Sequence, residues 1–166
     1  MLAEIYWITE NLAIMPHPRG YDWLEDEIVS YKNFGVDVVV SLLERSEAYD
    51  LDIVKEEFWC SEKGILYLNL PIADKKVPEY FEKTSEFIKK LQSFIDENKK
   101  LAIHCRQGIG RPSMIAACLL VLQGFSVEDA FKKIADARGC EVPDTEEQRN
   151  WVKLFAQNLK NQEKIN

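Results

Sequence analysis

Residues 104–113 read HCRQGIGRPS, and no other stretch restricts the fold as tightly. The segment follows the apolar run Leu101 to Ile103 and leads into MIAACLLVL, an uninterrupted apolar stretch from Met114 to Leu122. A short strand, a loop containing Gly108 and Gly110, and an apolar helix must therefore follow one another without a break. Such a loop lets successive N–H groups turn inward, and the helix that follows adds unpaired N–H groups and the positive end of its dipole. The result is a place for an anion.

The rest of the chain carries a regular alternation of signals. Ile5–Ile8 and Leu12–Ile14 flank a turn at Glu10-Asn11 and read as an opening hairpin. PHPRG at 16–20 is a loop, and 21–34 a helix stopped by Gly35. Val36 to Leu43 is apolar and β-branched, as a buried strand is. A helix is expected over 47–59 and a strand over 65–70. After the loop PIADKKVP at 71–78, residues Tyr80, Phe81, Thr84, Phe87, Ile88, Leu91 and Ile95 share one helical face. A helix is expected over 112–123, ended by Gly124. Ser126 with Asp129, and Thr145 with Gln148, have the spacing of capping boxes for two further helices, the first running to about Ala137 and the last burying Trp151, Leu154 and Phe155. The expected architecture is a single α/β domain over 1–166. Its central, largely parallel twisted sheet of about 4–5 strands is flanked by helices, with the 104–111 loop between a central strand and the next helix. Ligands bind beyond the carboxyl ends of strands in such sheets, which is where this loop lies.

The loop also carries a nucleophile. Cys105 is useful as thiolate, and the helix amino terminus and the permanent charge of Arg111 both favour that form. Arg111 offers a planar fork that matches two phosphate oxygens. A buried cysteine beside a plain turn would explain each residue singly but not the whole pattern. Cys118 lies inside the apolar helix and reads as core, and Cys60 and Cys140 have no motif around them. The run Gly110-Arg111-Pro112 lacks the Gly-Lys-Ser/Thr of a nucleotide phosphate loop. With only His17 and His104 in the chain, a metal site is not expected.

HCRQGIGR at 104–111 resembles the signature of the protein tyrosine phosphatase superfamily, in its compact dual-specificity branch. The resemblance makes Cys105 the nucleophile and the N–H groups of Arg106, Gln107, Gly108, Ile109, Gly110 and Arg111 the phosphate cradle. Arg111 would also stabilise the transition state, and His104 would help to set the loop, its alternative being a core histidine at a strand end. Low-molecular-weight and rhodanese-like phosphatases share C-x5-R but lack a comparable upstream acid. Here IADKKVP is similar to the I-x-D-x-x-x-P pattern of compact members, with Asp74 placed 31 residues ahead of Cys105. Asp74 would protonate the leaving oxygen and later activate water; otherwise it is an exposed loop or capping residue. RGCEVPDTEEQ at 138–148 resembles the segment that carries a glutamine before the last helix. Gln148 thus contacts the pocket or positions water, or serves only its cap. NLAIMPHPRG and GVDVVVSLLE resemble the entry of bacterial and archaeal members, which makes Arg19 and Glu44 candidate rim residues, with solvated loop charges as the alternative.

One residue departs from the pattern. The family has Ser or Thr directly after the arginine, where its hydroxyl donates to the cysteine sulfur. This chain has Pro112, which suits the first helical turn because its missing N–H costs little there. Ser113 follows one place later and is turned by about 100° around the helix. The expectation is an active enzyme whose thiophosphate breaks down slowly.

The family implies hydrolysis of a phosphorylated protein or a small phosphomonoester without cofactor or metal. Phosphotyrosine is the first choice, phosphoserine and phosphothreonine are further protein targets, and a phosphoinositide, nucleotide or RNA 5′-phosphate, or phosphate binding without turnover, is the alternative. A net charge of −7 and a pI of about 5.0 argue against nucleic-acid and anionic-membrane partners. The amino-terminal segment lacks the basic start and continuous apolar run of a secretory signal. With no CxxC pair among four cysteines, a monomer with reduced thiols in a cytoplasm is expected.

Overall fold

The computed structural model describes residues 3–166; residues 1 and 2 of the expected 1–166 domain lie outside the described residues. Five strands form one sheet: β1 (Tyr6–Trp7), β2 (Leu12–Met15), β3 (Val38–Ser41), β4 (Leu66–Asn69) and β5 (Leu101–His104). Their order is β1-β2-β5-β3-β4. Strands β2, β5, β3 and β4 are parallel, while β1 runs antiparallel to β2 as the expected hairpin. Among the described residues the helices are α1 (Leu24–Asn33), entered through a 3₁₀ turn at Tyr21–Trp23, α2 (Arg45–Asp50), α3 (Glu56–Glu62), α4 (Phe81–Asp96), α5 (Gly110–Leu122), α6 (Val127–Arg138) and α7 (Glu146–Ile165).

β2, β3 and β5 are buried throughout, which accounts for their continuous apolar sequences. α5 is buried from Gly110 to Leu120 and packs against α4, α6, α7 and β2. A helix apolar all round belongs in an interior. Each Ile or Leu it removes from water contributes about 1.5–3 kcal/mol. β5 and α5 therefore form the centre of the molecule, and the 104–111 loop that joins them is anchored at both ends.

The structure corrects several expectations. The helix expected over 47–59 is two helices, because the chain turns at Asp52 (φ 52°) to carry Ile53 into the core. Tyr80 and Leu154 are exposed, and Val152 is buried in place of Leu154. α5 starts at Gly110, ahead of the expected residue 112. Ser126 accepts the Asp129 N–H at 3.1 Å, but no return bond forms, so this cap is one-sided. Thr145 and Gln148 make both bonds of their box.

The register aligns the carboxyl ends of the parallel strands. His104 lies opposite Met15 on one side and Ser41 on the other, and Ser41 lies opposite Asn69. The loops that follow all four strands meet at this edge.

Candidate active site

Cys105 is the first residue beyond β5, and only 4% of it is exposed. The loop folds back over it, and the Gly108 N–H points at the sulfur (N···Sγ 3.3 Å). That turn requires glycine: φ at Gly108 is 76°, and a Cβ there would come within 2.7 Å of the Met15 carbonyl and the Pro16 nitrogen. The loop is braced on its outer side as well. Arg138 donates from Nε to the Gly108 carbonyl at 3.1 Å and from Nη2 to the Gln107 carbonyl at 3.2 Å, with its guanidinium over the Tyr6 ring. Occupying these carbonyls from outside leaves the amides free to face inward.

Arg111, in the first turn of α5, is 1% exposed. Nη1 and Nη2 donate to the two Glu47 oxygens at 2.8 and 3.0 Å, and Nη1 also reaches the Ile72 carbonyl at 2.8 Å. Nε is buried and has no partner among the described residues. Burial works against ionisation of Glu47, but the hydrogen bonds and charge of Arg111, the Glu44 N–H and the charge of Arg106 outweigh it. Its carboxyl is held below the usual range. Glu47 thus holds the guanidinium on one edge and leaves another edge open.

Glu47 is a functional residue that sequence reasoning missed in favour of Glu44. Glu44 is exposed and caps α2, its carboxylate accepting the Glu47 N–H while Glu47 accepts the Glu44 N–H. Arg19 also does not reach the cleft over Cys105. The buried Glu27 draws it away (Nε–Oε1 2.8 Å), and it lies over Trp23 beside a separate crevice. Arg106 is at the cleft, 3.5 Å from Glu47.

The loop after β4 brings Asp74 to the same place. Ile72 N–H bonds to the Leu42 carbonyl at 3.0 Å, and a turn from Ala73 to Lys76 lifts Asp74 to its tip. Asp74 Oδ1 lies 3.3 Å from Arg111 Nη2, with its side chain about half exposed. Gln148 is fully buried, and its Oε1 accepts the Asp144 and Thr145 N–H groups at 3.1 and 3.3 Å. Its Nε2 donates to the Lys76 carbonyl at 3.1 Å, so its amide is committed to protein. Ser113 is fully buried, and its Oγ has no partner among the described residues, Cys105 included.

His104 is buried at the end of β5, with Nε2 2.7 Å from Glu56 and Nδ1 3.2 Å from the Cys105 carbonyl. The thiol of Cys60 is pushed up by burial and by Glu56 and Glu57, and that of Cys118 by burial alone, so neither competes as a nucleophile. Cys140 is exposed.

These parts enclose a cleft of about 210 Å³, lined by Asp74, Lys75, Cys105, Arg106, Gln107, Gly110 and Asp144. A larger hollow of about 480 Å³ between α6 and the start of α7 does not reach Cys105. A soft nucleophile, a ring of amides, an open guanidinium edge and an exposed acid converge on one small polar volume. They suit an in-line displacement at an oxyanion. No group of three His, Cys, Asp or Glu residues among the described ones has the arrangement of a metal site.

Residues 25–157 match the family model for the dual specificity phosphatase catalytic domain. The chain is 33% identical to cyclin-dependent kinase inhibitor 3 of Homo sapiens over 98 residues, which is 58% of this chain and 46% of that protein. It is 39% identical to putative tyrosine phosphatase 197R of invertebrate iridescent virus 6 over 101 residues, 57% of this chain and 36% of that one. The chain thus spans about half or less of the length of the relatives it matches. Its fold is similar to that of kinase associated phosphatase carrying serine for its catalytic-site cysteine, with a TM-score of 0.86 at 22% identity over 96% of this chain and 97% of the other. A family match that runs from α1 into α7 and takes in the whole cleft is decisive: the chain belongs to the dual specificity phosphatase catalytic-domain family.

Proposed function

We propose that the protein is a cysteine-dependent phosphatase that hydrolyses phosphate monoesters on proteins, with phosphotyrosine as its first target and phosphoserine and phosphothreonine as further ones. The observation that carries this reading is the buried Nε of Arg111, which has no partner among the described residues, on a guanidinium whose Nη2 lies 3.3 Å from Asp74 of the Cys105 cleft. A buried donor without an acceptor is costly. A phosphate oxygen seated between Nε and Nη2 would satisfy it and would set the phosphorus over the sulfur.

In the first step the Cys105 thiolate attacks phosphorus. The P–S bond forms as the P–O bond to the substrate breaks, and Asp74 gives its proton to the departing oxygen. Arg111 and the amides of 106–111 hold the three equatorial oxygens. In the second step water oxygen bonds to phosphorus as the P–S bond breaks, the electron pair returns to sulfur, and the water proton passes to a carboxylate of the cleft. Each step uses side chains and amides of the chain itself. Charge favours a singly phosphorylated substrate, since Arg106 is the one cation inside the loop besides Arg111. The reading places the protein, as a monomer, in a reducing compartment such as the cytoplasm, where Cys105 stays a free thiol.

The test is release of phosphate from p-nitrophenyl phosphate and from phosphopeptides in the presence of a chelator. The expected result is turnover that vanadate blocks and that Cys105→Ser abolishes. Asp74→Asn is expected to lower kcat by roughly 10²–10⁴, and Arg111→Lys by at least about 10²–10³ through the lost fork of donors. Full activity in Cys105→Ser would overturn the reading.

A further inference from the structure

Two carboxylates, not one, wall the cleft over Cys105. Asp74 comes from the loop after β4, and Asp144 from the loop that enters α7. Asp144 lies against Gly110, the first residue of α5. A Cβ at position 110 would collide with the Asp144 carboxylate and come within 3.0 Å of Gln148 Oε1. The carboxylate therefore sits at the amino-terminal end of α5, beside the loop that carries Cys105. It takes part in no hydrogen bond or ion pair among the described residues, while the Asp144 backbone N–H donates to Gln148 Oε1 at 3.1 Å. Asp74, in contrast, is 3.3 Å from Arg111.

Gln148 was the sequence candidate for handling water. Its Oε1 already accepts two N–H groups, its Nε2 donates to Lys76, and the whole residue is buried. What it does is join the two acid-bearing loops, since Lys76 stands two positions after Asp74. Asp144 is the carboxylate of the cleft whose side chain has no partner among the described residues.

We propose that Asp144 is a catalytic base for the second step, so that the two carboxylates divide the labour: Asp74 donates the proton in the first step, and Asp144 takes one in the second. The inference rests on the phosphatase reading. Water oxygen forms a bond to phosphorus as the P–S bond breaks, the electron pair of that bond goes to Cys105 Sγ as thiolate, and the water proton passes to an Asp144 oxygen. Inorganic phosphate leaves, Asp144 returns its proton to solvent, and Asp74 takes a proton up from solvent before the next cycle. The division suits a chain with Pro112. No hydroxyl stands after Arg111 to receive the departing sulfur, and Ser113 is turned into the core, so breakdown depends on a well-activated water.

The test is rapid-mixing kinetics of p-nitrophenyl phosphate with Asp144→Asn, Asp74→Asn and Asp144→Glu. In Asp144→Asn the first p-nitrophenol is expected at the wild-type rate, as a burst of one equivalent per chain. Steady turnover is then expected to fall roughly 10²-fold, within the range for a lost general base. Asp74→Asn slows the burst itself, and Asp144→Glu recovers part of the steady rate. Thermal melting of Asp144→Asn at the wild-type temperature separates this from misfolding. Wild-type steady turnover in Asp144→Asn, or equal slowing of burst and steady rate, overturns the role of Asp144. The phosphatase reading fails separately, if Cys105→Ser retains full activity.

Discussion

Glu47 shows what a single residue adds to a motif. Arg111 can be read from C-x5-R, but a guanidinium buried to 1% needs an anionic partner, and that partner comes from 64 positions away. Only folding brings α2 over α5, so the sequence reading fell on Glu44 and passed over Glu47. The four-residue run Glu44-Arg45-Ser46-Glu47 held the answer in its i, i+3 spacing: the first glutamate caps, and the second turns inward. Pro112 is the opposite case, because the place of Ser113 behind it depends on local helix geometry and was legible. Ser113 lies 0% exposed with no contact to the sulfur. Pro112→Ser is expected to speed thiophosphate breakdown and so shrink any burst of p-nitrophenol while raising steady turnover. An unchanged ratio of burst to steady rate would show that a hydroxyl at this position does not act on the sulfur.

At the scale of elements, periodicity and punctuation carried most of the information. β5 begins where the apolar run does and ends one residue beyond it, at His104, and the Thr145–Gln148 box starts α7 as its spacing requires. Failures came where tertiary packing overrode local pattern. The 47–59 segment breaks because Ile53 is needed in the core, and Asp52 adopts a positive φ to allow it. The Thr145 cap has a second task, since it fixes the loop that carries Asp144 and the amide that clasps Lys76. Thr145→Ala is expected to cost about 1 kcal/mol, the usual value for a lost N-cap. Urea unfolding would show this as a lower midpoint with an unchanged slope. An unchanged midpoint would mean that the box contributes nothing to stability.

At the scale of the molecule, Cys105, Glu47 and Asp74 all follow the carboxyl ends of parallel strands of one sheet. The loop after β5 begins with Cys105, helix α2 after β3 supplies Glu47, the loop after β4 supplies Asp74, and β2 supports Gly108 from behind. The sequence indicated the α/β class and the end of the sheet that matters, because strand–loop–helix order dictates both. Strand order and the meeting of Asp144 with Asp74 were not legible, since they depend on contacts between segments far apart in the chain. The central claim is that phosphate passes through Cys105. Acid quenching during turnover, followed by peptide mass measurement, tests it directly. The account predicts one phosphoryl group on the peptide that contains Cys105, with a larger fraction in Asp144→Asn and none in Cys105→Ser. A phosphoryl group on a different residue, or full turnover in Cys105→Ser without any phosphocysteine, would contradict it.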